Sequence, residues 1–188
     1  MAFLALEKTK ARNAAKMSRR QAAIDTPAAA IELIQYWPEI GRKSGIVAIY
    51  LPIQSELNPG PLSGALVDAG YQLALPCIKR AAHPLEFRLY RPGDKLRGGP
   101  YNTREPVKTA YIVDPDIVLL PMLAFSTSGY RLGYGGGFYD RTLQSLRAQK
   151  EIFACGLAYA AQEVPLVPTD EYDQKLDGVL TEREFRKF

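Results

Sequence analysis

The chain of 188 residues contains one histidine and two cysteines. With no paired-cysteine spacing and a single imidazole, a Cys/His zinc site is excluded. The lone His83 sits in a loop, so no Ser–His or Cys–His nucleophile pair is on offer. Cys77 and Cys155 each lie in an apolar stretch, Leu75-Pro76-Cys77-Ile78 and Phe153-Ala154-Cys155-Gly156. They read as two buried free thiols of a reducing compartment rather than a disulfide. No apolar run approaches the ~18 residues of a membrane-spanning helix. The first residues lack the apolar core of a secretory signal; residues 8–20 are basic and acid-poor, slightly like a mitochondrial presequence. A cytoplasmic location and no membrane association are expected. Internal repeats and low-complexity linkers are also missing.

What is present is ordinary for a soluble globular protein: 47% hydrophobic and 23% charged residues, with a net charge of +4. The length suits one domain over residues 1–188 with a sizeable core. The mild positive balance favours anionic ligands without requiring nucleic acid. Residues 3–17 read as a helix, and Ser18 or Asp25-Thr26-Pro27 can start the next, over 28–36, with Pro38 and Gly41 ending it. Residues 45–51 form a continuous apolar run suited to a strand buried on both faces. A helix over 61–69, strands at 71–76 and 85–90, a loop-rich stretch at 92–109, a buried strand at 117–121, a helix at 142–149 and strands at 153–159 and 179–181 complete the pattern. Strands alternating with helices predict an α/β fold: a three-layer sandwich with a largely parallel central sheet flanked by helices.

The most informative stretch is Gly129-Tyr130-Arg131-Leu132-Gly133-Tyr134-Gly135-Gly136-Gly137-Phe138-Tyr139-Asp140-Arg141. It lies between a buried strand and a helix, where backbone N–H groups and a helix N-terminus together bind anions. By itself a glycine cluster also suits a long strand-to-helix connection. Three neighbours favour a polyphosphate and metal site. Arg131 can fork onto phosphate oxygens. Asp140 stands where the helix begins, and Mg²⁺ takes one or two carboxylates plus substrate phosphates. Arg141 is either a second phosphate contact or a surface charge. Tyr134, Phe138 and Tyr139 offer aromatic faces to a flat ligand or pack the loop on the core. The spacing is neither that of a Walker loop, which ends in Gly-Lys-Ser/Thr, nor that of a dinucleotide fingerprint.

Three further groups stand out. Lys8 and Arg12, four apart, share one helix face, while Lys10 and Lys16 fall on other faces or further along; a solvated basic face is the commoner meaning of such a run. Gln54 and Glu56 lie just beyond the first buried strand, where parallel sheets bind ligands, and could hydrogen-bond a heterocycle rich in donors. Glu56 could equally be a helix N-terminal carboxylate. Asp177 precedes Gly178 and reads either as a turn residue or as a second carboxylate near a metal.

Together these elements resemble the 5-formyltetrahydrofolate cyclo-ligase family. Lys8-Thr9-Lys10-Ala11-Arg12 resembles its N-terminal Lys-x-x-x-Arg. Leu51-Pro52-Ile53-Gln54-Ser55-Glu56 resembles its segment after the first strand. Residues 131–141 resemble its signature loop, the most specific piece. Lys175-Leu176-Asp177 resembles its C-terminal Asp segment, and Asn102-Thr103-Arg104-Glu105-Pro106 its Glu-Pro stretch. The order and spacing span nearly the whole chain, so a full family member is expected. The resemblance implies ATP- and Mg²⁺-dependent closure of 5-formyltetrahydrofolate to 5,10-methenyltetrahydrofolate, with release of ADP and phosphate. It implies nucleotide contacts from Lys8, Thr9, Lys10, Ala11 and Arg12, and from Arg131, Leu132, Gly133, Tyr134, Gly135, Gly136, Gly137, Phe138 and Tyr139. Among these, Arg131, Lys8 and Arg12 would supply catalytic charge. Leu51, Gln54, Glu56, Phe138 and Tyr139 would line the folate site, and Asp140 and Asp177 would be the metal positions. Two departures are visible: Ser126 follows Phe125 where many relatives have Asp, and Phe138 replaces the first Tyr of Tyr-Tyr-Asp.

Two rivals make different demands. A phosphosugar isomerase or CoA-transferase relative would use the glycine loop without ATP, leaving the Lys8/Arg12 pair superfluous. An RNA-binding module would need aromatics interleaved with the basic residues, and residues 8–20 contain none. Small-molecule partners, no nucleic acid and a monomer are expected.

Overall fold

The computed structural model describes residues 2–38 and 45–188. In chain order its elements are α1 (Ala2–Asp25), α2 (Ala29–Tyr36), β1 (Ile46–Ala48), α3 (Gly60–Asp68), β2 (Gln72–Cys77), β3 (Glu86–Tyr90), β4 (Leu96–Gly98) and β5 (Arg104–Pro106). There follow β6 (Ile112–Val113), β7 (Ile117–Pro121), β8 (Ala124–Phe125), β9 (Arg131–Leu132), α4 (Phe138–Arg147), β10 (Phe153–Leu157), β11 (Gly178–Leu180) and β12 (Phe185–Lys187). The central sheet runs β12-β11-β10-β7-β1-β2-β3-β6. Its five inner strands, β11 to β2, pair in parallel, and antiparallel β12, β3 and β6 close the edges. Both faces are covered. Ile117 and Leu119 of β7 face a core shared with Leu33 of α2 and Leu62 and Leu66 of α3, while Val118 and Leu120 face Leu143 and Leu146 of α4. The expected three-layer α/β sandwich is what forms.

Chain order places β1 and β7 side by side, with the connection after β1 crossing to β2 on one side and β10 following β7 on the other. Ligands of such sheets bind beyond the carboxyl ends of strands where the order reverses. Residues 49–57 leave β1 at that end, and the β8–β9 hairpin rises from β7 there.

Several boundaries differ from the sequence reading for physical reasons. Helix α1 does not stop at residue 17 but runs to Asp25, because the Ser18 hydroxyl donates to Ala161 O (3.3 Å) rather than capping a new helix. Thr26, donating its own N–H and hydroxyl to Ala22 O, ends it. Strand β1 is only three residues long; Ile49 N–H still donates to Ala74 O of β2 (2.9 Å), and the chain leaves the sheet after it. Helix α4 begins at Phe138 rather than 142, with Gly137 (φ 64°) entering it in left-handed geometry. The loop-rich stretch holds the β4–β5 hairpin, and the edge strand β12 carries no apolar pattern that announces it. Gly41 lies outside the described residues. Both cysteines are free and buried; burial pushes the Cys77 thiol up to about 11 and raises Cys155 as well.

Candidate active site

The glycine loop joins β9 to α4. Gly135 (φ 97°) and Gly137 (φ 64°) adopt backbone that side chains rarely tolerate. A Cβ at Gly135 would stand 3.1 Å from Cζ of Arg12, and one at Gly137 would stand 2.6 Å from Nη1 of Arg141. The glycines therefore let two guanidinium groups lie against the loop backbone. Arg12 donates from Nε to Gly133 O (3.0 Å), and Arg141 donates to Gly136 O (2.5 Å) while covering the Phe138 ring. Arg141 Nε is buried with no hydrogen-bond partner among the described residues. That orphaned donor, the paired guanidinium groups and the α4 N-terminus suit a polyanion.

Helix α1 presents this chemistry as a stripe. Lys8, Ala11, Arg12, Ala15 and Arg19 face the protein, while Thr9 and Lys10 are exposed, and the Thr9 hydroxyl donates within the helix to Ala5 O. Of the expected five-residue nucleotide segment, the structure thus brings Lys8 and Arg12 to the site and turns Thr9 and Lys10 to solvent. Lys16, one turn further along the helix, is exposed, with its ammonium 6.0 Å from the Tyr134 ring centre. Lys8 bridges Asp170 (2.7 Å) and Asp173 (2.6 Å). Partial burial would lower its ammonium, but the two carboxylates outweigh that and raise it above the ordinary lysine value. Hydrogen bonding to Lys8 likewise holds Asp170 below the usual carboxylate range.

Arg131, almost fully buried, donates to Gln174 O (2.5 Å) and to Asp140 Oδ1 (2.8 Å). Gln174 N–H also donates to that oxygen (3.1 Å). Arg131 and Asp140 therefore form the floor of the loop. Asp177 is not brought to Asp140. Its Oδ2 accepts from Arg147 Nη2 (2.9 Å) and from Ala154 N–H (2.7 Å). Arg147 is the last residue of α4 and Asp140 lies in its first turn, about 10 Å apart along the axis. Among the described residues no three His, Cys, Asp or Glu side chains cluster as a metal cage. A cation here would be one that takes most of its ligands from phosphates and water, as Mg²⁺ does.

Beyond β1, Glu56 is buried and accepts Ile53 N–H at Oε2 (3.0 Å). Burial raises its carboxyl above the usual value, while Ile53 N–H, the Arg19 charge and the Tyr134 hydroxyl act in the opposite sense. Tyr139 borders the same space; burial, then the Glu56 charge, raises its phenol. Leu51 is half-buried there, whereas Gln54 is exposed at a turn with φ 53° and is not directed into the pocket with Glu56. The Phe138 ring meets Tyr101 edge-on, centroids 6.0 Å apart. Glu105, fully buried, accepts Ile78 N–H (2.8 Å) and an Arg97 N–H (2.5 Å), pinning the β4–β5 hairpin beside the site. Ser126, at the departure after Phe125, is buried with its hydroxyl on Ser128 (2.8 Å).

Sequence reasoning missed Arg19, Asp170, Asp173 and Gln174. Arg19 extends the Lys8–Arg12 stripe by seven residues, a helical spacing that could have revealed it.

The model of the 5-formyltetrahydrofolate cyclo-ligase family matches residues 6–182. The chain belongs to this family. It is 31% identical to the 5-formyltetrahydrofolate cyclo-ligase of Haemophilus influenzae, with 89% of each chain covered. It is 35% identical to that of Escherichia coli strain K12 over 81% of this chain and 85% of the relative. The solved Aquifex aeolicus 5,10-methenyltetrahydrofolate synthetase superposes with a TM-score of 0.76 at 26% identity, covering 96% of this chain and 92% of that one. This cyclo-ligase family member is therefore an enzyme, and the isomerase, CoA-transferase and RNA-binding readings are set aside.

Proposed function

We propose that the enzyme converts 5-formyltetrahydrofolate to 5,10-methenyltetrahydrofolate using ATP, releasing ADP and phosphate. The observation that supports this best is that the chain turns two guanidinium groups, Arg12 and Arg141, onto the glycine loop while holding the buried carboxylate of Glu56 near Tyr139, which opens the helix after that loop. One place suits a polyphosphate and the other a donor-rich heterocycle. Lys8, Arg12, Arg131 and Arg141 would hold the nucleotide phosphates, helped by the N–H groups that open α4. Glu56 would accept hydrogen bonds from the folate heterocycle, with Leu51, Phe138 and Tyr139 as its apolar walls. The formyl oxygen of the substrate then attacks the γ-phosphorus, and the bond to ADP breaks. N10 adds to the activated carbon and loses its proton to water or to the departing phosphate, which leaves with the former formyl oxygen. No protein nucleophile is needed; the work is positioning and charge stabilisation. Asp140 would hold Mg²⁺, which when bound neutralises phosphate charge. The Asp177 carboxylate, already engaged by Arg147 and Ala154, is assigned to anchoring the end of α4.

The deciding assay is the near-ultraviolet absorbance of methenyltetrahydrofolate in protein, 5-formyltetrahydrofolate and Mg²⁺, with and without ATP. A rise confined to the ATP sample is expected. No rise from folded protein that binds ATP would overturn the folate reading and leave the phosphate site standing.

A further inference from the structure

Resting on that reading, we propose that Arg19 is a positioning residue whose guanidinium holds the Glu56 carboxylate and the Tyr134 hydroxyl in one network, coupling the folate pocket to the nucleotide loop. Arg19 is 1% exposed. Its Nε donates to Ser55 Oγ (3.2 Å), Nη1 to Met122 O (3.3 Å) and Nη2 to Tyr134 Oη (2.5 Å). Nη1 also lies 3.7 Å from Glu56 Oε1. The guanidinium sits 5.4 Å from the Tyr134 ring centre. One side chain of α1 thus touches the segment after β1, the segment after β7 and the glycine loop. A charge buried this deeply demands charged or hydrogen-bonding partners, and Arg19 has both.

The surroundings explain why this matters for Glu56. The groups facing it are Tyr50 and Ile53 N–H from its own segment, Tyr134 from the glycine loop, Tyr139 from α4 and Arg19 from α1. The three phenols stay neutral, since burial raises each of them. Arg19 is the cation that opposes the effect of burial and keeps Glu56 an anion able to accept from a heterocycle. Because Tyr134 belongs to the nucleotide loop, a shift of that loop moves a ligand of the same guanidinium.

The test is a ¹³C NMR titration of the Glu56 carboxyl in the full chain, comparing wild type with Arg19→Met, Arg19→Gln and Arg19→Lys. Either neutral variant should raise the Glu56 midpoint by roughly 1–3 pH units, with Arg19→Lys restoring most of the shift. The acid limb of kcat/KM for 5-formyltetrahydrofolate should move upward by the same amount. A purely structural role would lower thermal stability without moving either titration. An unmoved Glu56 midpoint in whichever neutral variant folds overturns the proposal. The NMR readout needs no turnover. A wild type that makes no methenyl product defeats the proposed reaction, while the titration still decides whether Arg19 governs Glu56.

Discussion

Gly135→Ala separates a loop that cradles a ligand from one that merely connects β9 to α4. Gly135 has φ 97°, and an added Cβ would meet the Arg12 guanidinium at 3.1 Å at Cζ and 3.2 Å at Nη2. Forcing a side chain into left-handed backbone costs about 1–2 kcal/mol. The clash with Arg12 adds to this, because the arginine is fixed by its bond to Gly133 O. The loop can shed the strain by moving, which leaves the binding geometry in a smaller fraction of molecules. A shift of about 1–2 kcal/mol lowers that fraction by about 5–30-fold, and apparent affinity falls with it. The initial rate of methenyl formation against ATP concentration should therefore show KM for ATP raised by about 5–30-fold. Any strain that remains in the folded state should lower Tm by about 2–4 °C per kcal/mol. Gly133→Ala is the comparison: no atom lies within 4 Å of its Cβ position and its φ is not left-handed, so the rise should be much smaller. Equal KM values for ATP in wild type and a folded Gly135→Ala would refute the cradle.

Lys8→Ala and Arg12→Ala should each raise KM for ATP more than KM for 5-formyltetrahydrofolate; equal effects on both substrates would count against the nucleotide assignment of α1. Glu56→Gln removes a hydrogen-bond acceptor that is charged, worth about 1.5–3 kcal/mol, so folate KM should rise by about 10–100-fold. Folding raises the Glu56 carboxyl above its ordinary value of 4.5, chiefly through burial, so its contribution to stability is full below that value and is lost as pH rises through the folded value. Glu56→Gln should accordingly gain thermal stability relative to wild type above that range and lose the advantage in acid; a variant less stable at neutral pH than in acid, relative to wild type, contradicts this. Asp140→Asn should abolish Mg²⁺-dependent turnover in a folded protein. Asp177→Ala should instead lower Tm, since an Ala154 N–H left unpaired costs about 1–3 kcal/mol, with little change in the Mg²⁺ titration. A raised Mg²⁺ requirement in Asp177→Ala would return that residue to the metal site.

Much of this arrangement is legible in the amino-acid sequence wherever one residue type has one physical use. The apolar runs at β1 and β7 show no polar alternation because both faces of an inner parallel strand are covered. The glycines at 135 and 137 announce backbone that other residues avoid, and both take positive φ. Boundaries fail where a residue's local preference is overruled by a distant partner. Ser18 is a good helix starter, yet its hydroxyl is engaged by Ala161, 143 positions away, so α1 continues. Edge strand β12 owes its existence to pairing with β11, which no local pattern encodes.

The same distinction divides the site. Glu56 is singled out by its position beyond a strand, whereas the spacing of Lys8 and Arg12 fits a solvated basic face equally well and only the family resemblance singles them out. The groups that set their electrostatics are not visible, because charge complementarity in a folded chain ignores sequence distance. Lys8 finds its carboxylates 162 and 165 residues later, and Glu56 meets an arginine on a helix that precedes it. Asp140 and Asp177 make the converse point. The family resemblance implies a metal pair, but Asp140 pairs with Arg131 in the first turn of α4 and Asp177 with Arg147 at its last residue. A carboxylate becomes a metal ligand through the company it keeps in space. Of the two, Asp140 shares its arginine with the carbonyl of Gln174 beneath the glycine loop, whereas Asp177 completes the hydrogen bonding of β10.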